Sequence, residues 1–394
     1  MTIRRQPSDF VVRERLSRAF AMGIRATPDA EAREAVYVLR KESRTTPEAI
    51  AGLARALAVP SGSIGYAGLK DKHARTEQHV SARARTDAPR EIEGAGWSAS
   101  LVGWSRVEIA SPAIEGNLFE IVVRDLTREA SGEMDRRAGL LGTEGGRALL
   151  VVNYFGAQRF GSARHGRGYV GRALIDGDFE LALRLAIGTP ARKDAGRTRV
   201  FTRALAAGWG DWTRLAQELP RCPERRAVEA LASGRGFRDA FAALPNALQA
   251  LYVEAYQSKL WNDAARRFVG REAGERGLGT IETPDEFGVM RFLPACEDLV
   301  GLPVPIPGKR TELTGLWGEA LGGAMREEGI EPASLRVPGL RRPYFGEAER
   351  SLVVRAEEFA MSPPRREGAR ASRTLAFALP RGSYATVVLR ALGQ

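Results

Sequence analysis

The chain has 394 residues, 44% of them hydrophobic and 27% charged, with a formal net charge of +11. That length exceeds what one hydrophobic core ordinarily serves, so two domains are expected, and the composition is that of a globular protein rather than a fibrous or disordered one. The positive field favours an anionic partner, most simply nucleic acid; genomic base composition explains a preference for Arg over Lys, but not an excess of basic over acidic residues. The first 160 residues then read mainly as strands: DFVVRERL (9–16), AVYVLRKE (35–42), SIGYAGL (63–69), EQHVSARA (77–84) and GNLFEIVVRDL (116–126) are rich in Val, Ile, Phe and Tyr. Between them TPEAIAGLARALAV (46–59) predicts a helix, capped by Thr46, with Pro47 in its first turn, Pro60 beyond its end, and Ile50, Leu53 and Leu57 on one face.

From about residue 172 the apolar spacing turns helical, best in LIDGDFELALRLAIG (174–188) and NALQALYVEAYQSKLWNDAARRFV (246–269). The basic segment ARKDAGRTRVFTR (191–203) lies between them, and GLPVPIPGKR (301–310) reads as loop. The tail, RTLAFALPRGSYATVVLRAL (373–392), returns to strand-like composition. The two ends resemble each other and the middle differs, which is consistent with one domain inserted into another. No stretch reaches the ~18–20 apolar residues of a membrane span. The start MTIRRQPSDF has no apolar run behind its basic residues, and Cys222 and Cys296 form no pattern, so a reduced, cytoplasmic setting is expected.

Unusual side chains gather in SIGYAGLKDKHARTEQHVSARA (63–84): two of the six lysines, Lys70 and Lys72, flank Asp71, and His73 and His79 follow. The histidines lack the close or paired spacing of a zinc site. Cations near a carboxylate keep it ionised and ready to act as nucleophile or base. On spacing alone, however, a turn acid beside solvated lysines is the stronger reading. A second cluster, VVNYFGAQRFG (151–161), interleaves Asn153, Tyr154, Phe155, Gln158, Arg159 and Phe160, a mixture suited to stacking on bases and bonding their edges; core aromatics beside a turn would look the same. Arg164, His165, Arg167 and Arg172 follow without an intervening acid. The string GRGYVG (166–171) fits a dinucleotide fingerprint, but the nearest strand candidate, ALLVVNYF (148–155), ends well before it.

Four segments together resemble the TruD family of tRNA pseudouridine synthases: PSDFVVRE (7–14), YAGLKDKHARTEQHVSA (66–82), NYFGAQRFG (153–161) and LPRGSYATVVLRAL (379–392). GNLFEIVVRDL (116–126) and AYQSKLWND (255–263) are looser matches in the same order. The resemblance implies an α/β (α+β) fold: a pseudouridine synthase catalytic domain around a mixed, largely antiparallel sheet made from both chain ends, interrupted by a TruD-type insertion. The borders expected are 1–172 and 344–394 for the catalytic domain and 173–343 for the insertion. It further implies isomerisation of a uridine in tRNA, most familiarly at position 13, with no cofactor and no metal, by a monomer.

By the same resemblance Asp71 is the catalytic carboxylate, Phe155 stacks on the target base with Asn153 beside it, and Phe10 and Glu14 belong to the same pocket. The family usually has Lys six residues before that Phe; Arg4 stands there in this chain, which keeps the charge and changes the contact geometry. Lys70, Lys72, Gln158, Arg159, Arg164, Arg167, Arg197 and Arg199 are expected to touch RNA. Two other readings compete: an RNA-binding protein on the same scaffold without catalysis, and a nucleotide-dependent enzyme built on GRGYVG.

Overall fold

The computed structural model describes residues 2–83, 88–163, 167–191, 194, 196–286 and 288–394. The β-branched and aromatic runs form strands. In chain order these are β1 (Phe10–Leu16), β2 (Glu34–Glu42), β3 (Ile64–Tyr66), β4 (Arg75–Arg83), β5 (Glu91–Gly94), β6 (Trp97–Ser105), β7 (Ile114–Leu126) and β8 (Ala148–Val152). They continue with β9 (Ile281–Asp285), β10 (Gly288–Phe292), β11 (Pro303–Ile306), β12 (Ala348–Ser351), β13 (Val353–Met361), β14 (Arg365–Glu367) and β15 (Arg370–Pro380). Eleven of them make one open sheet in the order β5-β6-β2-β4-β1-β7-β15-β13-β8, with β3 added to β4 and β14 to β15.

The sheet is mixed and mostly antiparallel. β1 runs parallel to β4, pairing Val12 with Thr76, and antiparallel to β7, pairing Val12 with Phe119. β15 then pairs antiparallel with β7, setting Phe377 opposite Phe119. Both ends of the chain therefore build it, as the resemblance implies. The chain divides into two compact units, one of Met1–Val151 with Val354–Gln394, the other of Val152–Val353.

In the first unit the core-facing positions of β2 recur with period two: Ala35, Tyr37 and Leu39 are fully enclosed. They pack with Val80 and with Ile50 and Leu53 of the helix Thr46–Ala56. Its cap is Thr45, not Thr46. The Thr45 hydroxyl accepts from Glu48 N, and the Glu48 carboxylate accepts in turn from Thr45 N, the reciprocal arrangement that satisfies two orphan donors. Thr46 is thereby released to point inward. The helix stops at Ala56, before Pro60, where Ala58 takes a left-handed φ of 52°.

In the second unit the helix Asn246–Glu275 is the longest element. Two expectations fail here. The stretch 301–310 is not all loop: Pro303–Ile306 is a strand, pairing Val304 with Arg350 of β12. Proline is tolerated there because β11 is an edge strand of a two-stranded ribbon. Nor is 174–188 one helix. Gly177, at φ 73°, separates Val170–Ile175 from Phe179–Leu183, and a π turn at Arg184–Gly188 follows. The basic segment enters the helix Gly196–Ala207.

Candidate active site

Asp71 lies in the connection between β3 and β4, which pair antiparallel. Its Oδ1 accepts from the backbone N–H of His73 at 3.0 Å, the local bond by which Asp stabilises a turn. Its Oδ2 lies 2.9 Å from a guanidinium nitrogen of Arg4, and the Asp71 side chain stays 20% exposed. Arg4, far away in sequence, thus brings a cation to Asp71. Lys70 turns inward to pair with Glu14, and Lys72 stands in solvent. The Arg–for–Lys change fits this geometry: the flat guanidinium lies over the Phe10 ring, 4.2 Å from its centre, while reaching Asp71.

Phe10 and Glu14 are four apart on β1 and so share one face. The Glu14 carboxylate is fully enclosed, and both its oxygens are taken, one by Lys70 and the other by His79 N at 2.8 Å. Its reach is to these two groups rather than to solvent. Burial pushes the His79 imidazole below its usual range, against the opposing pull of Glu14.

Behind the turn stands a residue that the sequence reading passed over. Lys41 is the next core-facing position of β2 after Leu39 and is only 2% exposed. Its ammonium donates to the carbonyls of Asp71 at 2.8 Å, Arg44 at 2.9 Å and Lys70 at 3.3 Å. Burial pushes its pKa down to about 8, although the Asp71 charge works the other way. The Thr46 hydroxyl accepts from Lys70 N at 3.0 Å and donates to the Gln78 side chain at 2.9 Å. The signal for Lys41 was in the sequence: a lysine in strand register with Tyr37 and Leu39 must point into the core.

The second constellation belongs to the other unit. Asn153 and Phe155 follow the end of β8. Asn262, on the long helix, grips the Phe155 backbone at both ends: its Oδ1 accepts from Phe155 N at 2.8 Å and its Nδ2 donates to Phe155 O at 2.9 Å. Trp261 meets the Phe155 ring edge-on at 5.6 Å, and the Arg350 guanidinium lies 4.1 Å from its centre. Arg350 also donates to Asn153 O and Oδ1, both at 2.7 Å, and Asn153 Nδ2 donates to Ser351 O. Asn153 is thus a buried strut between the Phe155 loop and β12. Asn262 and Trp261 stood within AYQSKLWND, where buried amides recur along a helix; Arg350 carried no local signal.

A cavity of about 540 Å³ in this unit is lined by Phe155, Arg159, Ser258, Gln257, Arg342 and Tyr344. Arg159 reaches Glu254 at 2.8 Å and Ser258 at 3.2 Å. Gln158 and Arg167 are exposed, as are Arg197, Arg199 and Arg203 on the helix Gly196–Ala207; Arg199 also donates to Asp194 O at 2.7 Å. Arg164, like His165 and Gly166, lies outside the described residues. Among the described residues, the strand that comes before the GRGYVG string is β8, which ends at Val152. Gly171 instead lets the helix Val170–Ile175 approach the long helix, where an added Cβ would sit 2.6 Å from that of Tyr256. Among the described residues no three His, Cys, Asp or Glu side chains group as metal ligands, and no helix is long and apolar enough to cross a membrane.

A family model described as tRNA pseudouridine synthase D (TruD) matches residues 1–273 and 297–392. The tRNA pseudouridine synthase D of Aquifex aeolicus is 30% identical over 370 residues, covering 91% of each chain. A "probable tRNA pseudouridine synthase D" of Halobacterium salinarum is 30% identical over 416 residues, covering 98% of this chain and 92% of its own. The crystal structure of the candidate TruD protein of Methanosarcina mazei superposes with a TM-score of 0.67 at 24% identity, covering 99% of this chain and 92% of the other, and carries the same fold.

Proposed function

The chain belongs to the TruD family of tRNA pseudouridine synthases, isomerases that turn a uridine of tRNA into pseudouridine, and from that premise we propose that Asp71 performs the chemistry and that Phe155 stacks on the target base. The reaction breaks the bond between ribose C1′ and uracil N1 and makes one between C1′ and C5. C5 loses its proton and N1 gains one, so no co-reactant is consumed. What the protein must supply is a group that attacks the ribose or takes a proton from it, and a carboxylate can do either.

One observation carries the assignment: the Asp71 carboxylate is oriented on one oxygen by His73 N and on the other by Arg4, in a turn that leaves it partly open. Position 13 of the tRNA is the target we assign. The basic surface gathers the RNA, with Gln158, Arg159, Arg164, Arg167, Arg197 and Arg199 among its contacts. Taking the uridine out of its stack costs a few kcal/mol, which Phe155 offsets by stacking. Phe10 and Glu14 act one layer back, under Arg4 and Lys70. The expected insertion, 173–343, selects the substrate, and the protein works as a cytoplasmic monomer.

The test is pseudouridine formation in unmodified tRNA transcripts, read by nucleoside analysis and mapped by position, with wild type and Asp71→Asn side by side. Wild type forms pseudouridine at position 13, and the variant binds tRNA and forms none. Equal product from both would remove Asp71 from the chemistry. Binding by both with no product from either would make the protein an RNA binder.

A further inference from the structure

Lys41 buries a cation where the fold has no evident need of one. A core position of β2 next in register after Tyr37 and Leu39 would ordinarily hold another apolar residue. Burying an ammonium is costly unless its donors are met. Here all three are met by backbone carbonyls: Arg44 O, just before the helix Thr46–Ala56, and Lys70 O and Asp71 O in the turn. A lysine has three N–H donors when protonated and two when neutral. The number of carbonyls therefore matches the charged form only.

Resting on the reading of Asp71 as the reacting carboxylate, we propose that Lys41 is a positioning residue for the reaction: its ammonium ties the backbone of the Asp71 turn to β2 and the helix, and so fixes where the carboxylate points. Lys41 does not reach the carboxylate oxygens. It holds the peptide on which they are carried, while Thr46 holds the neighbouring N–H of Lys70. The charged groups facing it are Asp71 and Lys70 from the turn and Glu48 from the helix. Its strand neighbours, Thr76 on β4 and Trp97 on β6, carry no charge. Burial makes the ammonium give up a proton near pH 8, the third carbonyl then loses its donor, and the turn slackens as pH rises.

The experiment compares wild type with Lys41→Met and Lys41→Arg. Single-turnover pseudouridine formation at pH 7 falls about 10- to 100-fold in Lys41→Met, the scale of a misplaced reacting group, while tRNA affinity stays within about twofold. Lys41→Arg, charged at every accessible pH, recovers part of the loss, and its rate holds to higher pH than that of wild type. Ionisation of the uridine is common to all three proteins and cancels in the comparison. An unchanged rate in Lys41→Met, or a loss in tRNA affinity alone, overturns the proposal. Amide hydrogen exchange at residues 70–73 needs no substrate: exchange there quickens in Lys41→Met while that of β4 is unaffected. Unaltered exchange overturns the tether even if Asp71 is catalytic. Quickened exchange beside a wild type that makes no pseudouridine sinks the reading of Asp71 and leaves the tether standing.

Discussion

Arg4 bears directly on the Asp71 carboxylate, because it is at once an ion-pair partner of it and a plate stacked on Phe10. Arg4→Ala removes both, and the rate of pseudouridine formation should fall by about 100-fold, in line with loss of orientation at a reacting group. Arg4→Lys keeps the charge but not the flat face, so a smaller loss is expected, and steady-state kinetics on one tRNA would separate the two. How much of this was legible is uneven. Asp71 and Phe155 could be singled out as candidates because short local strings carry them. Lys41 was legible in principle, since period-two register puts it in the core. The pairing of Arg4 with Asp71 was not legible from spacing, since the two are far apart in sequence, and Lys70 turns away to Glu14. Arg350 was beyond reach, since its bond to Asn153 spans 197 positions and leaves no periodic trace.

At the level of elements, the site depends on how closely the helix Thr46–Ala56 lies on the sheet. Gly52 permits this: a Cβ there would meet the Trp97 ring at 2.7 Å. Gly52→Ala should therefore destabilise the first unit by about 1–3 kcal/mol, the usual cost of overpacking, and a thermal melt checks it. The chain entering β1 is fastened by Asp9, enclosed and bonded to Arg124 on β7 at 2.7 Å. Burial alone would raise the Asp9 pKa, but its bonds to Arg124 and Gln6 N more than offset that, so it ends below its ordinary value. The pair thus adds stability above the ordinary carboxylate range, and the contribution is lost as pH falls through the depressed value. Wild type should lose its advantage over Asp9→Asn in acid, read as converging denaturant midpoints. The helix and the main strands were visible from propensity and period. The Pro303–Ile306 strand was hidden because proline punctuates most sequences, and only an unpaired edge makes it admissible in a strand.

For the molecule as a whole the net charge of +11 sets how it meets tRNA. Replacing Arg197, Arg199 and Arg203 by Gln should weaken tRNA binding and reduce the slope of log affinity against log salt by about 2–3, one counterion's worth for each arginine that meets a phosphate. Titrations at several salt concentrations decide it; an unchanged slope would place the RNA elsewhere. The pairing of β7 with β15 has a consequence for how the protein is made. Arg4, Lys41 and His73, which contact Asp71, are translated early, yet one long edge of β7 has no neighbour until residues 370–380 have left the ribosome. By then the whole of the compact unit Val152–Val353 has emerged. During that interval the nascent chain presents an open strand edge flanked by Ile121 and Val123, both fully enclosed in the finished protein. A ribosome stalled before β15 should therefore yield a product that binds chaperones and aggregates, and that gains activity only when the missing strand arrives.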